Sequence, residues 1–282
     1  MGSAGSAARP SAAFSLLMAI YAGDRPSYLS AALKSILEST LLPAQIVLVQ
    51  DGPVSGELIE TVEQYQHALC IERIVLSKNV GLGLALQQGL QQCKHELVAR
   101  FDSDDILLPS RFAEQLDYFA LHPETSVLGT WIGEFENTPD VVDVIRQVPL
   151  ESSAIARYAR MRNPMNHMTV VFRKGDVLNA GGYRNEIGYE DYSLWARMLS
   201  KGFILANLPT VSVLARAGSS MIARRGGWRY ARLEFALQGV LYRSGLISKV
   251  GVLRNLLLRV PARLIPASLL SLLYKTALRR NF

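Results

Sequence analysis

Residues 97–105, Leu97-Val98-Ala99-Arg100-Phe101-Asp102-Ser103-Asp104-Asp105, pass from an apolar run directly into three carboxylates. The run Leu97 to Phe101 has the length and composition of a buried strand, and the acids mark its carboxyl end. Towards the amino terminus lie three more such runs, Phe14 to Ile20, Gln45 to Gln50 and Ile71 to Leu76. Between them are segments with apolar residues at helical spacing: Tyr28 to Glu38, with Leu29, Leu33, Ile36 and Leu37, then Glu57 to His67 and Leu82 to Cys93. Strand and helix in strict alternation predict βαβ units on a parallel sheet, an α/β fold. Beyond Leu108 the alternation loosens. The pattern there predicts helices over 110–121, 151–162 and 190–200, and strands over 127–135, 141–148 and 168–172.

A chain of 282 residues with 49% hydrophobic and 19% charged residues suits one large domain with an appendage. Cys70 and Cys93 have no ligand spacing, which argues against a disulfide framework and for a reducing cytoplasm. Residues 1–13 read as a disordered leader, 14–215 as the catalytic domain and 216–282 as a helical tail. Charge divides at the same place: residues 1–215 hold 17 Lys and Arg against 23 acids, whereas residues 216–282 hold 13 against Glu234 alone. In the tail, leucines and valines interleave with Arg and Lys. Its longest uncharged run, Leu264 to Tyr274, has 11 residues including Pro266, and a spanning helix needs about 20. An amphipathic basic tail suits the surface of an anionic membrane; packing on the catalytic domain is the other reading. After Tyr230 the tail's aromatics are few and sit at apolar helical positions, so no nucleic-acid partner is expected.

In a parallel sheet the ligand lies outside the carboxyl ends of the strands. The residues there are Tyr21 to Arg25, Asp51 to Pro53, Lys78 to Gly83 and Asp102 to Asp105. Three carboxylates within four positions repel one another unless a cation neutralises them, and hard oxygen ligands suit Mg²⁺ or Mn²⁺ shared with substrate phosphates. A helix cap by Asp102 or Ser103 is the plainer alternative, but one cap does not explain three acids. Gly81-Leu82-Gly83 lacks the third glycine of a dinucleotide loop and any Gly-Lys-Ser/Thr, so Asn79 to Gly83 are expected as a wall of a nucleotide pocket.

Six segments in order, YAGDRPSYLSAALKSIL, IVLVQDGP, NVGLGLALQQGL, ARFDSDDILLPSR, NPMNHMTVVFRK and GGYRNEIGYEDYSLWARML, resemble the inverting family 2 glycosyltransferases. The resemblance covers roughly residues 14–215 and is greatest to bacterial enzymes of O-antigen and exopolysaccharide assembly. It implies the GT-A fold, a Rossmann-like, mostly parallel central sheet flanked by helices. It also implies a UDP-sugar donor, Mn²⁺ or Mg²⁺, and a lipid-linked saccharide acceptor at the cytoplasmic face of the membrane. By that resemblance Asp51 contacts the uracil, Asp102 the ribose and the metal, and Asp104 the metal, with Asp105 sharing the donor. Tyr21, Asp24, Asn79 and Gly81 complete the nucleotide-sugar set, and Arg224 closes over the diphosphate. His167 is expected on the metal or diphosphate, Glu190 and Trp195 at the acceptor, and Asp191 as the base that deprotonates the acceptor hydroxyl.

One base and one metal suffice for in-line inversion. A retaining mechanism needs a second acid close by, and a helical run through 190–191 is expected to turn Glu190 away from Asp191. The alternatives are a metal-dependent nucleotidyltransferase, for which Tyr21 to Arg25 is a poor match to the glycine-arginine loop required, and a non-catalytic membrane-binding module.

Overall fold

The structure, a computed structural model, describes residues 13–136, 138–217 and 227–264; the expected leader lies almost wholly outside them. The amino-terminal half follows the predicted alternation: β1 (Phe14–Ile20), α1 (Pro26–Leu37), β2 (Gln45–Gln50), α2 (Gly56–Gln66), β3 (Ile71–Val75), α3 (Leu82–Gln92) and β4 (Leu97–Arg100). These strands pair in parallel in the order β3-β2-β1-β4, with Ser15 opposite Gln45 and Phe14 opposite Leu97. The chain builds outward from β1 on one side and returns to its other side for β4. The order therefore reverses between β1 and β4, which opens a crevice at their carboxyl ends.

Every residue of β1 except the partly buried Ala19 is buried. With a side-chain period of two, Phe14, Leu16, Met18 and Ile20 meet Leu29, Leu33, Leu58 and Val62 from α1 and α2 on one face. On the other face Leu17 joins Leu86 and Leu90 from α3. Each such leucine contributes on the order of 2 kcal/mol. Two packed layers thus hold the strand ends rigid beneath the crevice.

The second half comprises β5 (Ile106–Leu107), α4 (Arg111–Leu121), β6 (Thr125–Phe135), β7 (Val144–Arg146), α5 (Ser152–Tyr158), a 3₁₀ turn (His167–Thr169), β8 (Val171–Arg173), α6 (Lys174–Asn179), α7 (Glu190–Ser200) and β9 (Ile204–Arg216). It extends the sheet as β4-β8-β6-β9-β5, with β7 on β6. β8 runs antiparallel to β4 and β6, whereas β9 runs parallel to β6. Three expectations change. The strand over 168–172 begins only at Val171, because the 3₁₀ turn takes His167 to Thr169. The strand over 141–148 shrinks to an exposed edge, and the helix over 151–162 ends at Tyr158. β9 has no counterpart in the sequence reading, and the boundary expected after residue 215 falls one residue before its end.

The tail forms α8 (Gly227–Arg243) and α9 (Lys249–Leu264), which fold back on each other. Leu237, Leu241 and Ile247 pack on Tyr192 and Ala196 of α7. Beneath them the fully buried Asn255 donates to the Arg160 carbonyl at 2.7 Å and to Gln238 at 2.9 Å, while Arg259 pairs with the buried Glu234 at 2.6 Å. A satisfied buried network of this kind fixes one docking geometry. Trp228, Phe235 and Tyr242 on α8, and Val250, Leu253, Leu257 and Leu258 on α9, remain exposed. Among the described residues no helix is long and apolar enough to cross a membrane.

Candidate functional site

The crevice between β1 and β4 gathers carboxyls. After β1, Asp24 accepts from the Tyr21 amide at 3.1 Å and from the Ser103 hydroxyl at 3.0 Å, which ties the first loop to the acidic cluster. Burial and repulsion from Asp102 raise its pKa against these two bonds. Asp104 reaches solvent, yet the surrounding protein desolvates its carboxyl, and Asp102 and Asp24 repel its charge, so it is pushed up to about 6. Beneath the cluster lie two buried cations. Arg100 binds the Asp102 carboxylate and the Phe101 carbonyl. Arg111 donates to the Arg100 carbonyl at 2.8 Å, with its guanidinium against the rings of Phe101 and Phe112. Burial and the Arg100 charge pull Arg111 down to about 9.

Asp24, Asp102 and Asp104 together exceed the charge that Arg100 can neutralise, and hard oxygens short of countercharge fit Mg²⁺ or Mn²⁺. Among the described residues no three His, Cys, Asp or Glu side chains converge as a metal group.

His167 does not join Asp102 and Asp104 as expected. It begins the 3₁₀ turn, where its Nε2 and the Tyr183 hydroxyl lie 2.9 Å apart, and burial holds its pKa well below the usual value. Asp105, expected to share the donor, is buried, with one oxygen accepting the Arg216 amide at 3.0 Å. Arg216 in turn lies over the Tyr28 and Phe135 rings, at 3.9 and 4.6 Å from their centroids. Asp105 thus anchors the end of β9, the strand that the sequence reading missed.

Asp51 ends β2 and is buried, accepting the Val80 amide at 2.7 Å and the Gly81 amide at 3.0 Å. The Asn79 side chain donates back to the Asp51 carbonyl at 3.2 Å. Gly52 takes φ +86°, and a Cβ there would stand 2.6 Å from the Asn79 amide, so only glycine lets the two loops meet. Asp51 therefore builds the wall that Asn79 and Gly81 were expected to form. The half-exposed Tyr21 stands at the mouth of the crevice.

A second acidic pair begins α7. Asp191 accepts from Asn163 at 2.6 Å and from the Tyr192 amide at 2.7 Å; burial raises its pKa, and these bonds oppose the rise. Glu190 is not turned clear of it: burial and then the Asp191 charge push Glu190 up to about 7. Glu190 also lines a cavity of about 230 Å³ with Asn79, Gly81, Gly83 and Gly188, so the nucleotide wall and the start of α7 share one opening. Tyr183, bonded to His167, lies within electrostatic reach of both acidic groups: its hydroxyl is pushed up chiefly by burial and feels Arg100, Asp191, Glu190 and Asp102 in turn. Trp195, expected at the acceptor, is fully buried behind His167. Arg224 lies outside the described residues.

Residues 15–179 match the Glycosyl transferase family 2 profile. The chain is a family 2 glycosyltransferase. It is 40% identical over 95% of its length, and 97% of the relative's, to the UDP-Gal:alpha-D-GlcNAc-diphosphoundecaprenol beta-1,3-galactosyltransferase of Escherichia coli. It is 41% identical to the amylovoran biosynthesis glycosyltransferase AmsE of Erwinia amylovora, over 93% of this chain and 98% of that one. In fold it is similar to S. aureus TarS 1–349 in complex with UDP-GlcNAc, with a TM-score of 0.64 at 15% identity over 96% of this chain and 76% of that chain. The glycosyltransferase thus has the GT-A fold, and the nucleotidyltransferase and non-catalytic alternatives are set aside. Arg100, Arg111, Asn163 and Tyr183 had no place in the sequence reading. An arginine inside an otherwise apolar strand, as in Leu97 to Phe101, was the available signal for the first.

Proposed function

We propose that this glycosyltransferase moves a hexose or N-acetylhexosamine, with inversion, from a UDP-sugar to a hydroxyl of a polyprenyl-diphosphate-linked saccharide in cell-surface polysaccharide assembly. The carrying observation is the pairing of two unlike acidic groups within electrostatic reach of Tyr183: a cation-demanding one at the β1–β4 crevice and an Asn163-held one at α7. Asp102 and Asp104 hold Mn²⁺ or Mg²⁺, which supplies countercharge to the departing diphosphate. Asp191 takes the proton of the acceptor hydroxyl as its oxygen bonds to the anomeric carbon and the bond to the diphosphate breaks. Asp51, Asn79 and Gly81 frame the nucleoside. The E. coli relative's acceptor, a sugar on diphosphoundecaprenol, supports a lipid-linked acceptor here. The exposed apolar residues of α8 and α9, beside Arg232, Arg243, Lys249 and Arg254, support peripheral attachment to the anionic inner face of the cell membrane.

The test is a thermal-shift and transfer screen across UDP-, GDP- and dTDP-sugars with Mn²⁺. UDP-sugars alone should stabilise the protein and be turned over, and EDTA or Asp104→Asn should abolish both effects. Full transfer in EDTA overturns the metal assignment, and stabilisation by GDP-sugars alone overturns the donor.

A further inference from the structure

The turn between α8 and α9 borders an open pocket of about 480 Å³, lined by Arg160, Arg254, Gly245, Leu246, Ser248 and Val250, among others. No acid is among its lining residues, and neither guanidinium makes an ion pair among the described residues. The Arg254 guanidinium bonds the Asn255 side-chain oxygen through Nε and Nη2 at 3.3 and 3.2 Å, a neutral partner that leaves its charge unanswered. Two arginines lining one open pocket without a counterion among the described residues make it a place for an anion, and guanidinium forks favour phosphate oxygens. Its position carries the argument further. Arg160 belongs to the segment after α5 that also holds the base: Ala159 accepts the Tyr192 hydroxyl at 2.8 Å, and Asn163 donates to Asp191 at 2.6 Å. Two residues lie between Arg160 and Asn163, a Cα-to-Cα reach of at most about 11 Å, comparable to one sugar ring with its first phosphate. On its other side the cavity wall becomes apolar surface. Val250 lines the cavity, is 77% exposed, and starts a stripe continued by Leu253 and Leu257 one helical face along α9.

We propose that Arg160 and Arg254 bind the diphosphate joining the acceptor saccharide to its lipid, with the accepting sugar towards Asp191 and the lipid chain leaving along Val250, Leu253 and Leu257. This rests on the proposed lipid-linked acceptor and assigns the residues that recognise it. It explains why the tail is docked by a buried polar network: α9 carries half of an acceptor site.

The experiment uses the full chain with Mn²⁺ and saturating UDP, so that the donor site is filled. Binding of a short-prenyl diphosphate-linked N-acetylglucosamine is compared for wild type, Arg160→Ala, Arg254→Ala and the double variant. Each single variant should weaken binding about tenfold and the double more, with UDP affinity unchanged as a control for folding. In transfer assays the double variant should raise KM for the diphosphate acceptor and leave unchanged KM for the same sugar on a neutral alkyl chain. Equal affinity in wild type and double variant, or an equal loss for the neutral acceptor, overturns the proposal even if transfer proceeds normally. A loss confined to binding of phosphatidylglycerol vesicles assigns the cavity to a bulk lipid headgroup and also overturns it. Wild-type protein that binds the probe in an arginine-dependent way yet never transfers sugar to it would instead count against the proposed function, leaving the diphosphate site standing.

Discussion

Burial raises Asp24 and Asp104 at the crevice and Glu190 and Asp191 at the start of α7 alike, but their neighbours differ. Asp24, Asp102 and Asp104 repel one another over Arg100, and these acids outnumber the buried guanidiniums of Arg100 and Arg111 among the described residues. Asp191 instead rests on neutral donors, the Asn163 amide and the Tyr192 N–H, with Arg146 only a minor favourable charge. Acids crowded against acids call for a metal, whereas an acid held by neutral donors keeps a lone pair available for a proton at modest pH. Environment thus assigns unlike roles to chemically identical groups.

Asp191→Asn breaks the comparison at its strongest point. The amide keeps an oxygen for Tyr192 but cannot take a proton, so kcat should fall by about 10²–10⁴-fold. UDP and Mn²⁺ affinity should hold, because Asp191 makes no bond to the proposed metal ligands Asp102 and Asp104 among the described residues. Wild-type kcat in this variant would remove Asp191 from the role of base. Asn163→Ala acts more gently. It deletes a bond that lowers the Asp191 pKa, so the acid limb of the pH–kcat profile should move upward, with about a tenfold loss at neutral pH recovered in more alkaline buffer. An unshifted limb with a uniform loss would mean that Asn163 only props the loop.

The position of the candidate donor residues was largely legible in the sequence because it is local. Each parallel strand ends on its own short motif, so Asp24, Asp51, Asn79 and Asp104 could be placed by counting strands. What the sequence hid depends on partners far along the chain. Asp105 meets Arg216, 111 residues on, across the β5–β9 pair. Trp195 has the look of a surface aromatic beside a catalytic acid, but helix α7 turns it into the core behind His167. Helix periodicity fixes which residues share a face and leaves open which face meets the sheet. The tail shows the same limit: its amphipathic pattern was plain, and the Asn255 contact with Arg160 that docks it was not.

The smallest effect tests the second acidic group through stability, with no turnover assay. Glu190 is held near 7 in the folded chain, above its ordinary value, chiefly by burial and then by Asp191. Between the ordinary glutamate range and about pH 7 the folded state keeps a proton that the unfolded chain releases. The stability that Glu190 contributes is therefore complete below that range and lost as pH rises through about 7. Glu190→Gln cannot ionise and still offers an oxygen to the Gly188 amide. It should flatten the decline of Tm across that window, by on the order of 2 kcal/mol or roughly 4 °C. The decline that remains would belong to Asp24, Asp104, Asp105 and Asp191. If the slope is unchanged, the Glu190 carboxyl is not strained by Asp191, and the contrast between the two groups reduces to the metal side alone.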